Sequence, residues 1–436
     1  MKILIIGNGF DVAHGLPTKY TDFLDGTREF LAYHEGGLLH TPFVGSFADA
    51  LNQKGMYDEF CMIKDNAWLN YLLNRYDEKK LQSDNWIDFE NEIKSVVSEY
   101  EKEFLSMSIK TLLEDRPNLF VEKFWKQPAM QRPNTSFNFD YDLYKKIWVE
   151  FSEFLFSQLR DFKRAFEIYC LCIIDKKTRD YAEKSEAKSL ANEINELQEV
   201  ISTLSTENTR SLVASRREEI LRSLEDARVR MGKLVEQYDA LSVLSAEFAF
   251  NCDCVLSFNY TNTFETLYGN EKAQFCYIHG KAQDNPVKTN MVMGINETLN
   301  KDTEDEFFLF ARFKKYFQRV VNKTGSQYKD WIKYMANPQS RENHEVYILG
   351  HSLGKTDHEV LREFFELSKN TDRVRITVFY YDDKLSKVRS VERIIEMIGK
   401  DDLINGVHGG DCTIKFVNQY ESGIMKPHAN RLTKLN

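Results

Sequence analysis

An uninterrupted apolar run, Ile3-Leu4-Ile5-Ile6, ends in Gly7-Asn8-Gly9. Such a run has no polar alternation, so it predicts a strand buried on both faces, the kind found inside a parallel sheet. The glycines predict a tight turn into a helix, which Gly15 and Pro17 then cut short. Parallel strands need crossover connections, so this opening constrains the chain to an α/β architecture. A strand, glycine turn and helix in that order form the crevice where open α/β sheets hold nucleotides. Glycine there lets backbone N–H groups approach a phosphate. The competing reading is a simple tight turn.

The chain of 436 residues is long enough for one large domain with insertions, or for two domains. Its formal net charge of -9 does not favour the phosphate backbone of nucleic acid as a partner. With 31 Phe, 21 Tyr and only 8 Pro, it predicts a packed globule rather than a disordered chain. The seven cysteines are scattered without a Cys-x-x-Cys pair, which encodes neither a zinc ribbon nor a disulfide framework. Buried free thiols are the expectation, and no metal site is predicted. No apolar stretch has transmembrane length, and the opening run is too short for a signal peptide, so the expected location is the cytoplasm.

Strand-like runs resume only after about 250 residues, at Cys252–Phe258, Gln274–Ile278, Asn290–Met293, Glu345–Gly350, Val374–Tyr381 and Cys412–Val417. Helical patterns alternate with them, as at Asp357–Ser368 and Ser386–Ile398. The predicted fold is a Rossmann-like, mostly parallel α/β sheet with a large helical insertion. Residues 1–30 and 250–436 would form the nucleotide-binding domain and 31–249 the insertion. Within it, Leu190, Ile194, Leu197, Ile201 and Leu204, then Leu224, Ala227, Met231, Leu234 and Tyr238, keep heptad spacing. This predicts an antiparallel helical hairpin or coiled coil over 185–242, either packed on its own domain or available for self-association or another partner.

Four stretches fall where strands end: Gly7-Asn8-Gly9-Phe10-Asp11, Phe258-Asn259-Tyr260-Thr261, Ile278-His279-Gly280, and Gly350-His351-Ser352-Leu353-Gly354 followed by Asp357. Singly, each has an ordinary explanation. Asn259 would bond local backbone, His279 would be a satisfied histidine, and Ser352 would bond its own turn. Asp357 would cap the helix it precedes. Asp11 would cap a helix or bond a ribose hydroxyl, since aimed at a phosphate it would repel it. Asp88, Glu90 and Glu92 follow Trp86 in alternation and read as a solvated helix face, with an acidic site as the alternative.

In order and spacing the four stretches resemble the sirtuin-type fold, a Rossmann-like domain that binds NAD. A closer resemblance is to the AbiH family of bacterial abortive-infection proteins. Ile5 to Tyr20, Trp86-Ile87-Asp88-Phe89-Glu90, Phe258-Asn259-Tyr260-Thr261, His279-Gly280 and Gly350-His351-Ser352-Leu353 carry it. The resemblance implies a role in phage defence, with an unidentified phage trigger or partner protein.

The paired cysteines of sirtuin deacylases are missing, so protein deacylation is not expected. What the likeness implies is NAD handling, typically hydrolysis of the nicotinamide–ribose bond. Asn259 would hold a water or ribose hydroxyl, and His279 would be the general base. Gly7, Asn8 and Gly9 would cradle the diphosphate, with Gly350, Ser352 and Asp11 contacting ribose. The alternatives are a nucleotide-sensing module without turnover and a nuclease-like effector.

Overall fold

The structure, a computed structural model, describes residues 1–37, 41–82, 87–113, 118–128, 130, 141–183, 218–227, 229, 244–245, 248–249, 251–269, 272–295, 309–339, 341–381, 384–410 and 412–425. Its centre is an all-parallel six-stranded sheet with the order β3-β2-β1-β4-β5-β6. The strands are β1 (Lys2–Ile6), β2 (Cys254–Ser257), β3 (Gln274–Tyr277), β4 (His344–Leu349), β5 (Val374–Tyr380) and β6 (Ile414–Asn418). The opening apolar run is central, with β2 on one side (Ile3 beside Cys254) and β4 on the other (Ile3 beside Val346).

Both faces of β1 are covered, as its lack of alternation requires. Ile3 and Ile5 pack with Leu256, Val346 and Ile348 under Trp331, Phe364 and Phe365. Leu4 and Ile6 pack on the opposite face with Val255 and Leu349, under Phe10, Phe264 and Tyr268. The result is a three-layer Rossmann-like α/β unit. The strand order reverses between β1 and β4, and a crevice opens at the carboxyl ends of strands at such a point.

Among the described residues no strand lies between Ile6 and Cys254. The intervening region is helical and includes Tyr20–His34, Ala67–Leu81, Phe89–Leu105 and Tyr141–Tyr169. Its core is aromatic: Phe23 meets Phe162, Phe166 and Tyr169 edge-on, and Tyr20 stacks on Phe89 with ring centroids 4.0 Å apart. That core also takes in Met291, Met293, Phe310 and Phe313 from beyond β3. The predicted hairpin over 185–242 lies outside the described residues except for 218–227 and 229.

Asn290–Met293 is not a strand, contrary to the sequence expectation. Met291, Val292 and Met293 are buried but join no ladder of the sheet. The Val292 amide donates to the His279 carbonyl (2.8 Å), and the Tyr260 hydroxyl donates to the Val292 carbonyl (2.9 Å). An apolar run of that length satisfies its backbone through loops and side chains when no strand is beside it. The Cys61, Cys170, Cys172, Cys252, Cys254, Cys276 and Cys412 thiols are all free, and all but Cys61 and Cys412 are buried.

Candidate functional site

A cavity of about 600 Å³ lies over the carboxyl ends of β1, β2, β4 and β5. Its lining includes the residues expected above to handle a nucleotide: Gly7, Asn8, Gly9, Asp11, Asn259, His279, Gly350 and Ser352. The helical region supplies its far wall through Tyr20, Glu90, Phe166 and Cys170. Its volume is in the range of sites for small-molecule and cofactor ligands.

The sheet itself converges these side chains. Gly7 follows β1, Asn259 lies two residues past β2, His279 two past β3, and Gly350 directly after β4. The first and last of these loops interlock. The Gly9 amide donates to the Gly350 carbonyl (2.8 Å), and the Gly7 amide to the Leu349 carbonyl (3.3 Å). A Cβ on Gly9 would lie 2.7 Å from the Gly350 oxygen. Gly350 has φ of 64° and its Cβ would lie 2.3 Å from the Phe10 nitrogen. The glycines thus serve a backbone-to-backbone junction. The amides of Gly7 and Gly9 are spent on it, so a phosphate cradle made from all three residues of the turn is not what the geometry provides. Leu353, in the same loop as Gly350, also has positive φ (54°), a strained backbone of the kind that gathers at functional sites.

Four buried polar atoms of residues around the cavity have no hydrogen-bond partner among the described residues: Asp11 Oδ1, Thr18 Oγ1, Asn259 Oδ1 and His279 Nδ1. Each can accept a hydrogen bond, and the Thr18 hydroxyl can also donate one. The other Asp11 oxygen accepts from the Thr261 hydroxyl. Asn259 donates its amide Nδ2 to the Gly7 carbonyl (3.1 Å), which leaves Oδ1 buried without a donor. His279 Nε2 lies 3.0 Å from Asp357 Oδ1. The carboxyl of Asp357 is held well below its ordinary range; burial opposes this, and the Lys315 ammonium and two imidazole hydrogen bonds outweigh it. An ionised carboxylate only accepts, so Nε2 carries the proton and Nδ1 presents a lone pair.

Burial, with Lys315 nearby, lowers the His279 pKa to about 3, so the ring is neutral at physiological pH. Burial raises that of Asp11 to about 6, against the opposing hydrogen bond from Thr261. Burial also raises Glu90 to about 7, with Lys315 opposing and Asp357 adding to the rise.

Asp357 stands at a helix N-terminus, as its sequence context predicts, but its side chain makes no capping bond. It is instead the hub of a buried cluster. His279 and Lys315 both approach Oδ1 (3.0 and 3.3 Å), and His351 Nε2 lies 3.4 Å from Oδ2. Lys315 continues to Glu90 at 2.7 Å. The solvated-face reading of Asp88, Glu90 and Glu92 is corrected accordingly. Asp88 caps the Phe89–Leu105 helix through the amides of Glu90 and Asn91, while Glu92 is buried against Tyr71 and Arg75. Glu90 enters the cavity wall. The sequence places His351 in a strand-end stretch without giving it a role and does not single out Lys315; nothing in the local pattern around Lys315 marks it as buried. Among the described residues no group of three or more His, Cys, Asp or Glu is arranged to hold a metal ion. No helix among them is long and apolar enough to cross a membrane.

A family model described as "Bacteriophage abortive infection AbiH" matches residues 3–380. No curated protein and no solved structure matches the chain.

Proposed function

Starting from a chain that belongs to the AbiH family of bacteriophage abortive-infection proteins, we propose that the cavity binds NAD and hydrolyses its nicotinamide–ribose bond. The observation that carries this reading is the set of four orphaned polar atoms around the cavity, Asp11 Oδ1, Thr18 Oγ1, Asn259 Oδ1 and His279 Nδ1. Leaving a buried acceptor unpaired costs about 1–3 kcal/mol, so a site with several of them suits a ligand rich in donors. A ribose with vicinal hydroxyls, next to a cationic ring, has that character. A bare phosphate does not.

The chemistry follows the charge. As the C–N bond breaks, its electron pair leaves with nicotinamide, which departs neutral, and positive charge builds at the anomeric carbon as in other glycosidic reactions. Asp11 is ionised above about pH 6 and its carboxylate stabilises that charge. Asn259 orients a ribose hydroxyl or the attacking water. His279 Nδ1 accepts a hydrogen bond from the attacking water and orients it, with Nε2–H anchored on Asp357, and the water proton passes to solvent as the new C–O bond forms. The products are nicotinamide and ADP-ribose.

The test is chromatography of NAD, nicotinamide and ADP-ribose in phage-infected cells expressing the protein, and in reactions of the purified chain. Nicotinamide and ADP-ribose should appear together as NAD falls, and Asn259→Ala or His279→Ala should leave NAD intact. NAD that survives in infected cells carrying the parent protein overturns the reading. A nucleotide that co-purifies unaltered would mark a binding module instead.

A further inference from the structure

We propose that Lys315 is a positioning residue for His279: clamped between Glu90 and Asp357, its ammonium fixes the carboxylate that orients the imidazole and discourages a second proton on the ring. The inference deepens the NAD reading in its activity arm, while the arm that observes the ring stands without any substrate.

The geometry is that of a chain of buried charges. Lys315 is 1 % exposed and sits 2.7 Å from Glu90 Oε1 and 3.3 Å from Asp357 Oδ1. Its helix, Lys315–Asn322, comes after β3, whereas Glu90 belongs to the helical region and Asp357 to the loop after β4. One ammonium therefore ties three parts of the chain to the atom that holds His279 Nε2. A buried ion pair is a poor route to stability, because desolvation offsets most of the attraction. Its retention beside an imidazole with a free lone pair fits a positioning role.

Electrostatics decide the direction of the effect. His279 faces Asp357 and, through it, His351; Lys315 and Arg319 face it from one helix, and Tyr260 from the loop after β2. Glu90 acts on it from the helical region through Lys315. Asp357 alone would stabilise an imidazolium, and an imidazolium has no lone pair at Nδ1. Lys315 spends that negative charge, and with burial it keeps the ring neutral.

The experiment follows the histidine ring by ¹⁵N NMR on the full chain across pH 4–9, with His279→Gln providing the assignment. The parent ring should stay neutral with its proton on Nε2. In Lys315→Met it should take up a second proton, with a titration moved upward by about 1 to 3 pH units. Lys315→Arg, which keeps the charge, should restore the neutral ring. Relative to the parent at the same pH, nicotinamide release by Lys315→Met should drop at low pH and recover as pH rises, whereas a merely structural role lowers that ratio at every pH.

If Lys315→Met does not fold, Glu90→Gln combined with Lys315→Met removes the pair together and leaves no orphaned carboxylate at position 90. A folded variant whose His279 titration matches the parent overturns the proposal. A parent that releases no nicotinamide overturns only the reading in the preceding subsection, and the ring titration still decides this one.

Discussion

Asp11 is a buried acid kept at the expense of stability, and replacing it should show by how much. Its pKa rises from 3.8 to about 6, chiefly because the cavity removes it from water. At about 1.4 kcal/mol per unit, the difference amounts to about 3 kcal/mol. The folded chain holds this proton more tightly than the unfolded chain does. The contribution of Asp11 is therefore most favourable below pH 3.8 and is lost as pH rises through about 6. Asn at this position keeps the shape and an acceptor for the Thr261 hydroxyl but never ionises. Asp11→Asn should thus match the parent near pH 4 and exceed it by about 3 kcal/mol above pH 6.5. Unfolding entropy of about 2.1 cal/mol/K per residue turns that into a rise of about 3 °C for a chain that melts as one unit. Paired thermal melts of parent and variant across pH 4–8.5 measure it. A difference that stays constant over this range would refute the burial argument. A stabilised variant with no turnover would display the usual trade of stability for activity at a functional site.

His279→Ala and Asn259→Ala should each lose on the order of 10² in nicotinamide release, the scale of misplacing a reacting group. Their combination should lose little more, since both serve one step, and additive losses measured by kinetics would separate their roles. Release by the parent should fall below about pH 6, where Asp11 gains its proton, and not wait for the neutral His279 to titrate near 3; a flat profile from pH 5 to 7 would contradict this. Gly350→Ala should cost more than about 1–2 kcal/mol, because a left-handed backbone is joined to a Cβ only 2.3 Å from the Phe10 nitrogen. An unchanged melting temperature would mean that the junction of the two loops can relax.

The sheet was legible because its signals are local. Ile3 to Ile6 need both faces covered, and the loops after the strands carry Gly7, Asn259, His279 and Gly350, which parallel topology must bring to one edge. The charge cluster was not legible, because its signals are shared with ordinary structure. An acid that caps a helix and one that turns from it toward two histidines look the same in sequence, so Asp357 read as a cap. Glu90 kept helical periodicity with Asp88 and Glu92, and periodicity does not say which face meets another part of the chain. Lys315 is buried only because Glu90 and Asp357, both distant in sequence, meet it. Asn290–Met293 shows the converse: an apolar run with strand composition stayed irregular because its backbone partners were Tyr260 and His279.

The position of β1 has a consequence for synthesis. The strand ends at Ile6, while the strands that pair with it begin at Cys254 and His344. Ribosomes add about 5–20 residues each second, so the most apolar segment of the sheet waits roughly 15 to 70 s for its second neighbour. During that interval it is an unpaired edge, open to wrong partners and to chaperones. The helical region, with contacts between segments closer in sequence, has time to pack first. The cavity needs the loop after β4 for one wall and Asp357 to hold His279, so no nascent fragment owns it. Until translation is nearly complete, the cell carries a chain with no site to restrain.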